Sequence, residues 1–288
     1  MSEQKAQAQD RQVNVYNFSA LMAAEPLPYR ALRFDSNNDC NLRCVYCHNH
    51  RSKETIGTQD FDLFLKEKVI AVETFQAGCI MEPTLDSRLG DLLLLVASSP
   101  ARPRSGLLLQ TNGILLHRHD PMKLRDAGLT RLSVSLDAAQ PQISKSLRSG
   151  MSIDKVIRNI SDFRTQCPDI TVEFVCTVTS ENIDKIEDLV ALGLGLGVQR
   201  FHFREVFYYP DSDVVDHSRM PGLLLADGAF AAMEQRIRAG FEGLADLIFV
   251  PNAELNSRAR SENEESNYSG QRSKWRMLWN EAASKELS

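Results

Sequence analysis

The sequence contains no apolar run long enough to cross a membrane. A span needs ~18 or more consecutive apolar residues, and the best candidate, residues 189–198, is about half that length and broken by glycines. Excess positive charge is missing as well: 33 Lys and Arg stand against 38 Asp and Glu, a net charge of −5. That balance argues against a broad surface for bulk nucleic acid while permitting a small basic pocket. Residues 1–12 are polar and lack the apolar centre of a signal peptide, which predicts a cytoplasmic protein. Cysteine is scarce, with six residues and none beyond Cys176. In a reducing compartment these read as metal ligands and core residues, not disulfides.

What is present suits one large domain. The chain has 288 residues, 43% of them hydrophobic, and α/β barrels of this size are commonly single domains. Residues 1–28, rich in Gln, Ala and Glu and ending at Pro26 and Pro28, read as a mobile arm. From Tyr29 onward, strand-like runs near 31–35, 77–81, 106–110, 131–136, 170–178 and 199–206 alternate with helical patterns near 60–74, 87–98, 120–127, 153–165 and 183–192. Such alternation predicts an α/β fold of parallel βαβ units, and six units make up three quarters of a TIM-type barrel, a partial (β/α)6 form over 29–206. Residues 207–288 form a C-terminal extension: a loop over 207–221, a helix over 223–241, a short strand at 247–250, and a last helix carrying Trp275 and Trp279. Ser152 reads as a helix N-cap, and Gly128 and Gly193 as helix stops. The glycines at 193, 195 and 197 follow a helix and precede a strand, the reverse of a nucleotide-binding loop, and so predict a helix stop and close packing.

Cys40, Cys44 and Cys47 are spaced CxxxCxxC. Three thiolates on a tight loop would leave one iron of a four-iron cluster without a protein ligand. A structural zinc site would instead close its shell with a fourth ligand, which His48 or His50 could supply, although no second CxxC or HxxxH follows. Cys79, Cys167 and Cys176 are widely separated and read as core residues; Cys176 would serve a cavity only if its side chain points inward. Barrel active sites gather at the carboxyl ends of strands. Polar residues fall at each predicted end in turn: the three cysteines, Glu82, Thr111 with Asn112, Ser135 with Asp137, Thr179 with Asn182, and His202, Arg204 and Glu205.

With the cysteine spacing, the segments Ile80-Met81-Glu82-Pro83, QTNGILL at 110–116 and RLSVSLD at 131–137 resemble, in order and separation, the radical SAM superfamily across about residues 30–206. That resemblance implies an open six-unit barrel and a [4Fe–4S] cluster on Cys40, Cys44 and Cys47 whose free iron is chelated by S-adenosylmethionine (SAM). It also implies reductive cleavage of SAM and hydrogen abstraction by a 5′-deoxyadenosyl radical, with the electron coming from a donor such as flavodoxin or ferredoxin. The implied SAM contacts are Tyr46 at the adenine, Glu82 at the ammonium, Ser135 and Asp137 at the ribose or carboxylate, Arg148 at the carboxylate, and Asn112. Two glycines normally precede the glutamate, and here Ile80 and Met81 replace them. The absence of cysteine beyond Cys176 sets the chain apart from relatives with auxiliary clusters.

The expected substrate is a small polar metabolite, sugar-, nucleoside- or amino-acid-like, held between the barrel mouth and the loop at 207–222. His202, Arg204, Glu205, Tyr208 and Tyr209 are its candidate contacts, with Asp211 and Asp213 nearby. Competing readings are a glycyl-radical activase, suggested by Cys47-His48-Asn49, a peptide-modifying enzyme, and a non-catalytic Fe–S or zinc module that binds a protein through the Trp275 helix. Replacing Cys44 by alanine is expected to abolish cluster assembly and SAM cleavage without unfolding the barrel, whereas Cys167→Ala leaves turnover nearly intact. Iron content and circular dichroism of the two variants check this.

Overall fold

The computed structural model describes residues 9–252. Within them the chain builds a single eight-stranded parallel sheet in the order β1 (Gln9–Val13), β2 (Leu27–Phe34), β4 (Val69–Ala77), β5 (Gly106–Thr111), β6 (Leu129–Ser135), β8 (Thr171–Val178), β9 (Arg200–Glu205) and β10 (Asp246–Val250). Two short strands, β3 (Arg43–Cys44) and β7 (Arg148–Ser149), pair antiparallel with each other above it. Helices α1 (Phe18–Ala23), α2 (Thr58–Glu67), α3 (Leu89–Ser98), α4 (Pro121–Asp126), α5 (Pro141–Leu147), α6 (Ile153–Gln166), α7 (Ile186–Gly195), α8 (Met220–Leu223) and α9 (Ala229–Phe241) form the crossovers. The expected α/β partial barrel is thus present, with one extra strand at each edge.

Several expectations need correction. Residues 9–23 do not form an arm: β1 adds in parallel to β2, and α1 returns the chain to it. The helix predicted over 60–74 ends at Glu67, and the strand predicted at 77–81 lies at 69–77. The run Val-Ile-Ala-Val-Glu-Thr-Phe is rich in β-branched side chains, and no Gly or Pro marks the end of α2 to separate the two periods. Ser152 occupies the N-cap position of α6 without making a side-chain cap bond. Gly193 lies inside α7, and the left-handed residue after that helix is Gly197, at φ +73°. The helix expected around Trp275 and Trp279 lies outside the described residues.

Period-two alternation divides the sheet into two unlike faces. Leu32, Phe34, Phe75, Leu109, Leu132, Val134, Phe174, Phe201 and Phe203 are 0–3% exposed and meet the helices. Phe34 stacks on Phe61 of α2 at 3.9 Å. On the opposite, lumen face the registers Arg33↔Gln76, Gln110↔Ser133, Ser133↔Glu173 and Glu173↔Arg200 carry polar side chains from strand to strand. Fully parallel sheets are usually apolar on both faces. Here Arg33, Gln76, Gln110, His202 and Arg204 stay partly exposed in the middle of the sheet, so solvent reaches the lumen.

The close packing expected at the glycine triplet is real at one position. A Cβ on Gly193 would stand 2.5 Å from the Phe201 ring, while Gly195 has nothing within 4 Å. Gly193→Ala is therefore expected to destabilise the fold by about 1–3 kcal/mol through overpacking. Gly195→Ala should be neutral or slightly stabilising, and thermal denaturation of the two variants separates these outcomes.

Candidate active site

The segment 35–56 leaves the end of β2 and places the three cysteines over the carboxyl ends of the strands. Each sulfur receives one N–H contact: the Leu42 amide to Cys40 Sγ at 3.4 Å, Arg148 Nη1 to Cys44 Sγ at 3.8 Å and Asn49 Nδ2 to Cys47 Sγ at 4.0 Å. Burial pushes the Cys44 thiol up to about 12, with Arg148 opposing. The two histidines that could complete a zinc shell are engaged elsewhere. His48 stacks on Tyr209 at 3.7 Å, and His50 Nε2 bonds Asp213 at 2.8 Å. Among the described residues, no three His, Cys, Asp or Glu side chains converge on one ion. A cubane accepts each thiolate at a different iron, so this donor set, three sulfurs each receiving N–H, fits a [4Fe–4S] cluster.

Beneath the loop lies a buried ion pair. Asp137 has no exposed surface; its Oδ2 accepts Arg148 Nε at 2.7 Å and its Oδ1 accepts Arg148 Nη2 at 2.9 Å and the Thr177 amide at 2.9 Å. The Tyr46 hydroxyl also donates to Asp137 Oδ2, and the Arg148 guanidinium lies 5.5 Å from the Tyr46 ring centre. Burial holds the Tyr46 phenol well above its usual range, with Arg148 opposing and Asp137 and Cys44 adding to the rise. Three residues expected to meet SAM therefore meet one another. Asp137 is an anchor of the cysteine loop with no lone pair facing the lumen, and its backbone carbonyl is fixed in turn by Asn182 Nδ2 at 2.8 Å.

Glu82 is 3% exposed and joins the second strand end to the third. Its Oε1 accepts from the Thr84 amide at 3.0 Å, the Thr84 hydroxyl at 2.5 Å and the Thr111 hydroxyl at 2.6 Å, while Oε2 accepts only the Asn112 amide at 2.7 Å. Burial pushes its carboxyl up and these bonds oppose the shift. Oε2 alone keeps acceptor capacity for a ligand. Asn112 Nδ2 reaches Asn41 of the cysteine loop at 2.8 Å, so it too braces the loop. Ser135, at the end of β6, has no side-chain hydrogen-bond partner among the described residues.

The substrate-side expectations divide. His202 and Arg204 face the lumen, with Arg204 Nε 3.4 Å from His202 Nε2, and burial together with Arg204, Arg200 and Arg131 lowers the imidazole to about 3. Glu205 does not join them. Consecutive strand residues point to opposite faces, and Glu205, in phase with Phe201 and Phe203, accepts the Asn252 amide at 2.7 Å. Tyr208 is buried among Leu147, Val206, Val215, Met220 and Leu223, its hydroxyl 2.9 Å from His217 Nδ1, so it holds the 207–221 loop together. Tyr209 remains at the site beside His48. Asp211 and Asp213 lie on the exposed side of the loop. Cys176, in phase with Phe174 and Val178, turns away from the lumen.

Three lumen and loop residues were not anticipated. Arg33 faces the lumen from β2, and Arg51 Nη1 donates to the Cys40 carbonyl at 3.1 Å. Asp35, 2% exposed, accepts the backbone amides of Cys79 at 2.9 Å, Ile80 at 3.3 Å and Met81 at 3.2 Å on Oδ1. The strand phase could have placed Arg33; nothing in the local sequence marks Asp35 as a partner of a turn 44 residues away.

Fold and site together define a parallel α/β barrel with a three-thiolate cluster loop at the carboxyl ends of its strands. The chain belongs to the radical SAM superfamily, whose model matches residues 36–193, more than half of its length. It is 31% identical over 169 residues to a GTP 3′,8-cyclase of Peptoclostridium acidaminophilum, covering 56% of this chain and 50% of that protein. It is 30% identical over 179 residues to a tungsten-containing aldehyde ferredoxin oxidoreductase cofactor-modifying protein of Pyrococcus furiosus, covering 58% and 49%. The chain thus spans about half the length of these curated relatives. Among solved structures, SuiB of Streptococcus suis bound to S-adenosylmethionine superposes with a TM-score of 0.58 at 15% identity, over 81% of this chain and 53% of that one. The enzyme anSMEcpe with bound AdoMet and a peptide gives 0.57 at 16%, over 83% and 68%. At these identities the likeness shows the fold.

The buried pair generates a direct test. Arg148→Ala leaves the Asp137 carboxylate buried and uncompensated, which is expected to cost about 3–5 kcal/mol. Denaturant unfolding of the cluster-free protein measures it, and a loss confined to SAM binding would show that Arg148 serves the cofactor alone.

Proposed function

We propose that this chain cleaves SAM reductively at a [4Fe–4S] cluster held by Cys40, Cys44 and Cys47 and oxidises, rearranges or epimerises a small polar metabolite in the barrel lumen. When bound, the cluster and SAM supply a 5′-deoxyadenosyl radical that takes a hydrogen atom from the substrate. The chain's own residues do the rest. Asp137 and Arg148 fix the loop that carries the thiols, Glu82 offers Oε2 and Ser135 its hydroxyl at the mouth, and His48 with Tyr209 closes the side facing the 207–221 loop. The electron comes from a small reductant such as flavodoxin or ferredoxin, and a cytoplasmic setting would keep the thiols reduced.

The observation that carries the substrate side is the polar, solvent-reached lumen beneath a three-thiol loop. Arg131 and Arg200 share Glu173, at 3.4 and 3.2 Å, whereas Arg33 has no hydrogen-bond or ion-pair partner among the described residues. A neutral His202 beside Arg204 adds a donor or acceptor without adding charge. A lumen of this character favours, among sugar-, nucleoside- and amino-acid-like molecules, those bearing a carboxylate or phosphate.

Anaerobic reconstitution with iron and sulfide, followed by dithionite and SAM, is expected to yield 5′-deoxyadenosine. Bound zinc in place of the cluster, or a cluster whose electron paramagnetic resonance signal ignores SAM, rules the reading out.

A further inference from the structure

The family pattern places two glycines before the glutamate, and this chain has Ile80 and Met81. The turn nevertheless forms without strain there: among the described residues no non-glycine residue has positive φ. The left-handed position is Gly78, at φ +78°, where a Cβ would meet the Gln110 carbonyl at 2.2 Å. Gly78 makes the last ladder bond, its amide donating to the Phe34 carbonyl at 2.9 Å. The next three amides then turn together onto Asp35. Three successive N–H groups aimed at one anion form a concave nest, and here a side chain of the same chain fills it. Gln12 Nε2 approaches the other carboxylate oxygen at 3.4 Å from β1.

Orientation of the amides dictates that of the carbonyls. Within a trans peptide the C=O points opposite to the N–H of the next residue, so the amides of 79–81 turned inward on Asp35 set the carbonyls of residues 78–80 outward; that of Gly78 accepts Gln76 Nε2 at 2.8 Å, and those of Cys79 and Ile80 accept no hydrogen bond among the described residues. Glu82, which follows, is fixed on both sides: its amide donates to the Asp39 carbonyl at 3.0 Å, and its carbonyl accepts Asn37 Nδ2 at 3.1 Å. Two free acceptors on the partly exposed residues Cys79 and Ile80 thus precede Glu82, whose Oε2 keeps acceptor capacity and whose amide is tied to Asp39 of the cysteine loop. Acceptors without donors, next to a carboxylate oxygen, suit an ammonium group.

We propose that Asp35 is a positioning residue that stands in for the missing glycine pair, holding the peptides between residues 78 and 81 so that the Cys79 and Ile80 carbonyls, with Glu82, receive the ammonium of SAM. The inference rests on the radical SAM reading above and adds a residue five positions before the first cysteine to its machinery. Asp35 touches no substrate; it acts through the turn.

The test uses reconstituted holoprotein and SAM as the probe. Asp35→Ala removes the common acceptor of three amides and is expected to weaken SAM binding roughly tenfold or more, at unchanged iron content. Asp35→Asn keeps a carbonyl oxygen at the Oδ1 position and is expected to restore affinity to within about threefold of the unmutated protein, less than 1 kcal/mol. Equal affinity in Asp35→Ala and the unmutated protein, or equal loss in both variants, overturns the proposal. If Asp35→Ala does not fold, amide hydrogen exchange of the unmutated protein without SAM decides. Slow exchange at Cys79, Ile80 and Met81 is expected, and exchange at the rate of an open loop overturns the assignment. Failure of the unmutated holoprotein to bind SAM at all would defeat the functional reading itself, independently of Asp35.

Discussion

A buried bidentate ion pair, Asp137 with Arg148, is what the rest of the site depends on. Burying two charges is tolerable only when each is fully paired and its remaining capacity is hydrogen bonded. Here the carboxylate is shared among the guanidinium, the Tyr46 hydroxyl and the Thr177 amide, and the third guanidinium nitrogen is left to face the Cys44 sulfur. The pair ties the fourth strand end of the six-unit core, the fifth strand and the cysteine loop into one rigid assembly.

The second organising feature is the contrast between the two sheet faces. Aromatic and aliphatic residues on the helix side supply the cohesion of the fold, and that frees the lumen side to carry Arg33, Gln76, Gln110, Ser133, Glu173, His202 and Arg204. The arginines there are partly balanced by Glu173, so the interior is polar without being uniformly charged. Stability and recognition are thereby assigned to opposite sides of the same strands.

Much of this was legible in the sequence because it is local. CxxxCxxC states its donor set within eight positions, and β5, β6, β8 and β9 announce themselves by short runs of Leu, Val, Ile and Phe followed by polar residues. The failures share a cause in long-range pairing. Nothing local to Asp137 or Arg148 shows that they face each other, so their ion pair becomes visible only in the fold. Glu205 was placed in the lumen alongside Arg204, although strand alternation forbids adjacent residues from sharing a face. The boundary between α2 and β4 went unseen because the run from Val69 satisfies both periods. Residues 9–23 were misjudged because a polar composition predicts an arm until an exposed strand edge, here that of β2, offers it a ladder.

The sheet's hydrogen-bonded order ends at β1 and β10, and among the described residues no ladder joins them. A barrel left unsealed in this way has a lateral seam. Among the described residues, widening the seam breaks no ladder hydrogen bond between its two edge strands, so the girth of the lumen has room to adjust to its guest while the cofactor end stays fixed by charges in the middle of the sheet.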